Sequence, residues 1–161
     1  MQHTITIVIS RTDTLIGKII RSVHKGYYNH CSFYLDDETD KLWSFSRKYD
    51  KFFFTGCFCS ETSKRYIAYQ KFTFMIDDTV YKDICNEIKR LKKHYRIYAY
   101  QNAVLINFNK SIDSKNHFIC STFVANIIDK YNLVKLIKPA NICLPMDVYK
   151  SLSCAKSNIM H

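Results

Sequence analysis

Asn116 to Leu133 reads NHFICSTFVANIIDKYNL, and the place of its cysteine governs how the rest of the chain is read. Apolar residues at Phe123, Val124, Ile127, Ile128 and Tyr131 recur at helical spacing, which predicts an amphipathic helix. Cys120 stands at its expected start, outside the apolar stripe, with Ser121 and Thr122 directly behind. A thiol there meets unpaired backbone N–H groups and the positive end of the helix dipole, and both favour thiolate over thiol. The same N–H groups can hydrogen-bond an oxyanion formed when sulfur attacks a carbonyl, so the Cys120 backbone N–H is expected to contribute to an oxyanion hole. Position alone also allows a bland alternative, a small apolar residue packed at a helix start.

A nucleophilic cysteine needs a base that takes its proton or holds it as an ion pair. The chain offers His3, His24, His30, His94, His117 and His161. His161 is terminal, His94 belongs to a basic cluster, His3 opens a strand and His24 ends an expected helix. His117, three residues before Cys120, would face away from it. His30 begins the expected strand HCSFYL after GYYN, where a side chain can project from the sheet rim towards a helix packed against it. Its alternative reading is an ordinary polar residue at a strand start.

YYNHCSFYLDD followed much later by FICSTFVANII resembles the circularly permuted papain-like family. This is the permuted branch of the NlpC-like cell-wall peptidase superfamily, which also includes lecithin:retinol acyltransferase-like proteins. In that branch a histidine at a strand start precedes a cysteine that opens a helix with a pattern close to C-S-x-F-V. Here the matching positions are His30 and Cys120, Ser121, Thr122, Phe123 and Val124. IVISRTDTLIGKIIRSVHKGYYNH resembles the family's opening strand and helix, KLWSFSRKYDKFFFTGCFCSE its second strand and an aromatic excursion, and LPMDVYKSL its closing helical turn. The resemblance implies one permuted papain-like domain over residues 1–161, with Cys120 as nucleophile and His30 as base. It also implies a third polar residue on the strand after the histidine strand, orienting the imidazole. Counting across the turn selects Ser44, with Ser46 its same-face neighbour. A serine can accept a hydrogen bond from His30 but offers no full negative charge; Asp36 and Asp50 are the acids that could substitute.

The remaining segments give the fold class. HTITIVIS (His3–Ser10) reads as a strand, and Asp13 or Thr14 can cap a helix whose stripe is Leu15, Ile16, Ile19, Ile20 and Val23. HCSFYLDD and KLWSFSR read as a hairpin joined by a polar turn. KRYIAYQKFTFMI reads as another strand, followed by a helix capped by Asp77 or Asp78 with apolar positions Val80, Tyr81, Ile84, Ile88 and Leu91. KYDKFFFTGCF resists classification, and IYAYQNAVLINF reads equally as strand or helix. A short helical turn is expected around MDVYKSL. The expected class is α+β, a small, mostly antiparallel sheet packed against helices.

Composition sets outer limits. The chain has 161 residues, 47% hydrophobic and 24% charged, with three glycines and two prolines, which suits one globular domain without long linkers. No apolar run approaches the roughly 20 residues that span a bilayer, and MQHTITIVISRTD lacks the pattern of a signal peptide. The expected location is therefore cytoplasmic. Seven cysteines form no regular framework, so reduced thiols are expected. Cys57 and Cys59 make a C-x-C pair with nothing nearby to complete a zinc site, and no metal or cofactor is expected. The net charge of +10 and the cluster Lys89, Arg90, Lys92, Lys93, His94 and Arg96 favour an acidic partner such as an anionic lipid. Without a nucleic-acid motif, that cluster reads as a solvated helix face rather than a nucleic-acid interface. Three functions remain in view. The first is a thiol hydrolase acting on a peptide, amide or related acyl bond. The second is acyl transfer through a Cys120 thioester, with Phe52, Phe53, Phe54 and Phe58 lining an acyl site. The third is an inactive binding module that keeps a papain-like cleft. Oligomeric state is not encoded in any of these patterns.

Overall fold

The computed structural model of the chain describes residues 1–14, 17–18, 21–22, 25–36, 38–47, 56–93 and 118–159. Its elements there are strands β1 (Gln2–Thr12), β2 (His30–Leu35), β3 (Leu42–Arg47), β4 (Gly56–Glu61) and β5 (Tyr66–Asp77), and helices α1 (Asp78–Lys93), α2 (Cys120–Lys130) and α3 (Pro145–Ile159). The five strands form one antiparallel sheet in the order β4-β3-β2-β1-β5. The α+β class therefore holds. No helix among the described residues is long and apolar enough to cross a membrane.

The expected strands and hairpin are present, and β4 emerges from the end of the segment that resisted classification. Residues 17–18 and 21–22 of the first expected helix are helical, and its stripe residues Leu15, Ile16, Ile19, Ile20 and Val23 lie outside the described residues. So does the ambiguous IYAYQNAVLINF segment. Asp77 settles the cap of α1: its Oδ1 accepts the Val80 N–H at 2.8 Å, the bond an N-cap acid makes to the third helical residue. The closing helix is longer than the expected turn, running 15 residues from Pro145. Proline suits a first helical position because the missing N–H would have had no partner there.

The sheet has two unlike faces. The outer face presents Ile5, Ile7, Ile9, Phe33, Leu35, Phe45, Phe58, Phe72 and Ile76. Against it pack Ile84, Ile88 and Leu91 of α1, Phe123, Val124, Ile127 and Ile128 of α2, and Val148 and Leu152 of α3. The period of 2 along each strand and of 3.6 along each helix brings these sets together.

The inner face carries His30, Ser32 and Tyr34 of β2, Ser10, Val8 and Thr6 opposite them on β1, and Leu42 and Ser44 on β3. Ser10, Ser32 and Ser44 are fully buried, yet among the described residues the apolar cluster on this face, Val8, Tyr34 and Leu42 with Tyr66 packed against it, includes no helical residue. The sheet also curls over this face. Glu61 lies opposite Leu42, and the Phe33–Trp43 pair sets Leu42 opposite Tyr34, Thr6 and Thr73. In a flat sheet Glu61 and Tyr66 would lie four strands across and seven residues along from each other, roughly 30 Å apart. The chain between them is four residues, five Cα-to-Cα steps, and reaches at most about 18 Å. The two edges must therefore approach, as in a partly closed barrel. The Tyr66 hydroxyl indeed bonds the Glu61 carboxylate at 2.8 Å.

Candidate functional site

Cys120 opens α2 as its first residue, preceded by Ile119 in extended conformation. Ile119 has no polar atom to cap the helix, and the local polar contact runs the other way: its N–H donates to Thr122 Oγ1 at 3.1 Å. The first N–H groups of α2 are thus left without a side-chain acceptor from the N-cap position. Phe123, Val124, Ile127 and Ile128 are all buried, so the stripe that predicted the helix also fixes its rotation.

His30 begins β2, and its imidazole and the Cys120 sulfur lie close enough for each to shift the other's acidity, with the Cys31 backbone N–H also beside that sulfur. On the far side of the ring, His30 Nε2 lies 2.5 Å from Glu61 Oε1. An ionised carboxylate can only accept, so Nε2 carries the hydrogen and Nδ1 is the nitrogen left for the sulfur. Cys120, His30 and Glu61 therefore form one line of thiol, imidazole and carboxylate.

The electrostatics follow from that line. Burial alone would push the Cys120 thiol up, but the His30 imidazole beside it and the Cys31 N–H outweigh burial and hold it below its ordinary value. Burial alone would depress His30, and the Glu61 carboxylate and the sulfur together raise it well above its ordinary value. Burial would raise Glu61, yet His30, Tyr66 and Ser46 bring it down. These directions favour a thiolate–imidazolium pair backed by a carboxylate over the neutral pair. The Cys120 residue is only 3% exposed, whereas the Glu61 side chain is 20% exposed, so the acid end of the line meets solvent more than the sulfur end.

Two other buried thiols show what the setting does. Burial, with the nearby Cys120 and Cys143 sulfurs, pushes Cys31 well up. Burial and Asp147 push Cys143 up to about 12.

Ser44 does not take the orienting position. Its hydroxyl donates to the Cys31 carbonyl at 2.7 Å, inside the sheet, and the residue that reaches the imidazole is Glu61. Ser46, its same-face neighbour, lies 3.0 Å from Cys59 Sγ and near enough to Glu61 to help lower its acidity value. Asp36 is committed elsewhere, to His3 at 3.1 Å and the Thr4 N–H at 2.9 Å. Asp50 lies outside the described residues, as do His24, His94, His117 and His161. Glu61 left a trace in the sequence, an acid closing the run GCFCSE before a polar turn, but nothing in that run pointed at His30. Among the described residues no group of three or more His, Cys, Asp or Glu side chains could hold a metal ion.

Of the aromatics expected to line an acyl site, one is described. Phe58 is a core residue, with Trp43, Phe45 and Phe123 rings 5.3 to 5.6 Å from its own; Phe52, Phe53 and Phe54 lie outside the described residues. In the basic cluster, Arg90 pairs with Glu87 and Lys92 Nζ sits 4.2 Å above the Trp43 ring. His94 and Arg96 of that cluster lie outside the described residues.

No family model matches the chain, and no curated protein or solved structure matches it either.

Proposed function

We propose that the chain is a thiol hydrolase of permuted papain-like type, acting on an amide, peptide or related acyl bond. The observation that carries this reading is the line Cys120–His30–Glu61, with the sulfur at a helix N-terminus and the carboxylate 2.5 Å from the imidazole. The sulfur attacks the carbonyl carbon and forms an acyl-enzyme. The imidazolium gives its proton to the leaving amine or alkoxide. A water, deprotonated by the now neutral His30, then releases the acid and restores the pair. Glu61 holds the ring and stabilises its charged form, and the N–H groups at the start of α2 face the developing oxyanion. The ground for an inactive module was the lack of an acid beside His30, and Glu61 fills that place.

The test is alkylation of the native protein with iodoacetamide across pH, with the modified cysteines mapped by mass spectrometry. Preferential modification of Cys120 near and below neutral pH, lost in His30→Ala, is expected. Equal labelling of every accessible thiol would overturn the reading and leave a binding module.

Acyl transfer through a Cys120 thioester is a second reading, favoured by one feature. A cavity of about 140 Å³ lies between α1 and α2, walled by Phe33, Ile84, Ile88, Phe118, Phe123 and Ile127, with Glu87, Asn126, Lys130 and Tyr131 completing it and Cys120 outside its lining. Phe118 and Phe123 flank Cys120 in the chain, and the apolar walls suit a short acyl chain. Incubation with phospholipid vesicles or other acyl donors should then leave an acyl adduct on Cys120, and no adduct with any donor would remove this reading.

A further inference from the structure

Beyond the three residues in line, a second layer of polar groups converges on the acid. Tyr66 Oη lies 2.8 Å from Glu61 Oε1, the same oxygen that receives the imidazole. Ser32 Oγ lies 2.9 Å from Tyr66 Oη. The direction of this chain is fixed by valence: a carboxylate accepts, so the tyrosine hydrogen points to Glu61, and the tyrosine oxygen is left to accept the hydrogen of Ser32. Ser32 is fully buried.

We propose that Tyr66 is a positioning residue of this site, whose hydroxyl, anchored by Ser32, fixes the Glu61 carboxylate against the His30 imidazole. The inference rests on the reading of Cys120, His30 and Glu61 given above. A lone carboxylate at the end of a strand has free rotation about its last bonds, and one hydrogen bond from a histidine does not hold its plane. A second donor on the same oxygen, from the opposite edge of the sheet, does. Packing alone would not require the hydroxyl: the Tyr66 ring lies against Val8, Tyr34 and Leu42 whatever its para substituent. The titratable groups facing Glu61 among the described residues are His30 from β2, Tyr66 from β5 and, across the imidazole, Cys120 from α2. Burial and Glu61 raise Tyr66, so it stays a donor throughout the useful pH range.

The experiment uses Tyr66→Phe, which keeps the ring and removes only the hydroxyl. Carbon-detected NMR of the Glu61 carboxyl in the native protein and in Tyr66→Phe reads the link directly and needs no activity. The Glu61 midpoint is expected to rise by about one pH unit in the variant. The rate of Cys120 alkylation at pH 6 should fall several-fold in Tyr66→Phe but show no further fall when Tyr66→Phe is added to Glu61→Gln. An unchanged Glu61 midpoint, or an equal loss in the Glu61→Gln background, overturns the proposal. Should Tyr66→Phe not fold, Ser32→Ala tests the same chain from its far end, with a smaller shift in the same direction expected and no shift counting against it. Failure of Cys120 to react selectively in the native protein would instead remove the hydrolase reading, while the carboxyl titration would still decide the bond between Tyr66 and Glu61.

Discussion

Cys31 and Cys120 are both buried free thiols in the same small domain, and their acidities move in opposite directions. Cys31 points into the helix-covered face of the sheet among hydrocarbon, where nothing repays the loss of water by a thiolate. Cys120 loses water as completely, but it faces an imidazole, a backbone N–H and the start of a helix. Burial alone therefore does not set the direction of a thiol's acidity here. What sets it is whether polar groups stand ready to replace the water.

The largest effect should come from removing the imidazole. His30→Ala is expected to slow Cys120 alkylation at pH 6 by roughly 10²- to 10⁴-fold, the range of a positioned general base, while Cys31 stays unreactive in both proteins. Labelling of Cys31 as fast as Cys120 in the native protein would break the contrast. On the other face, Phe33→Ala should cost about 3–5 kcal/mol in denaturant unfolding, since Phe33 is 1% exposed and its ring packs at a tilt against Phe123. The surviving folded fraction should still label Cys120 before Cys31. Glu61→Gln keeps an acceptor but removes the charge, and about a tenfold loss of Cys120 reactivity is expected, tenfold being worth about 1.4 kcal/mol.

The same glutamate gives a pH signature. Its folded value is depressed, so its contribution to stability is complete above the unfolded value of 4.5 and is lost as pH falls through the folded value. Acid unfolding followed by circular dichroism should accordingly begin at higher pH in the native protein than in Glu61→Gln when each is normalised to its own neutral stability. The smallest effect tests the helix-covered side alone: Asp77→Ala should cost about 1 kcal/mol through the lost cap of α1, read by thermal melting, with Cys120 reactivity untouched.

The contrast also shows what a sequence carries openly. The β-branched and aromatic content of HTITIVIS and KRYIAYQKFTFMI, and the period of 3.6 after Asp77 and after Cys120, describe contacts within an element or between neighbours, and those elements are present. Cys120 and His30 were legible because each stands at the end of such an element, where its surroundings are local. Counting across the β2–β3 turn likewise put Ser44 on the interior face, but a count of register reaches only the next strand. Glu61 comes to His30 because the whole sheet bends, a property spread over five strands and written in no single spacing. Its own strand follows the aromatic segment that showed neither period.

The link between β4 and β5 spans residues 62–65 and joins the two outermost strands of the sheet. A bracelet closed by so short a clasp transmits tension to whatever lies beneath the fastening, and here that is the acid and its histidine. Splicing a few slack residues into the clasp would let the bracelet open. The helices would keep their grip on the outer side, and the imidazole would lose its carboxylate with no atom of Cys120, His30 or Glu61 changed.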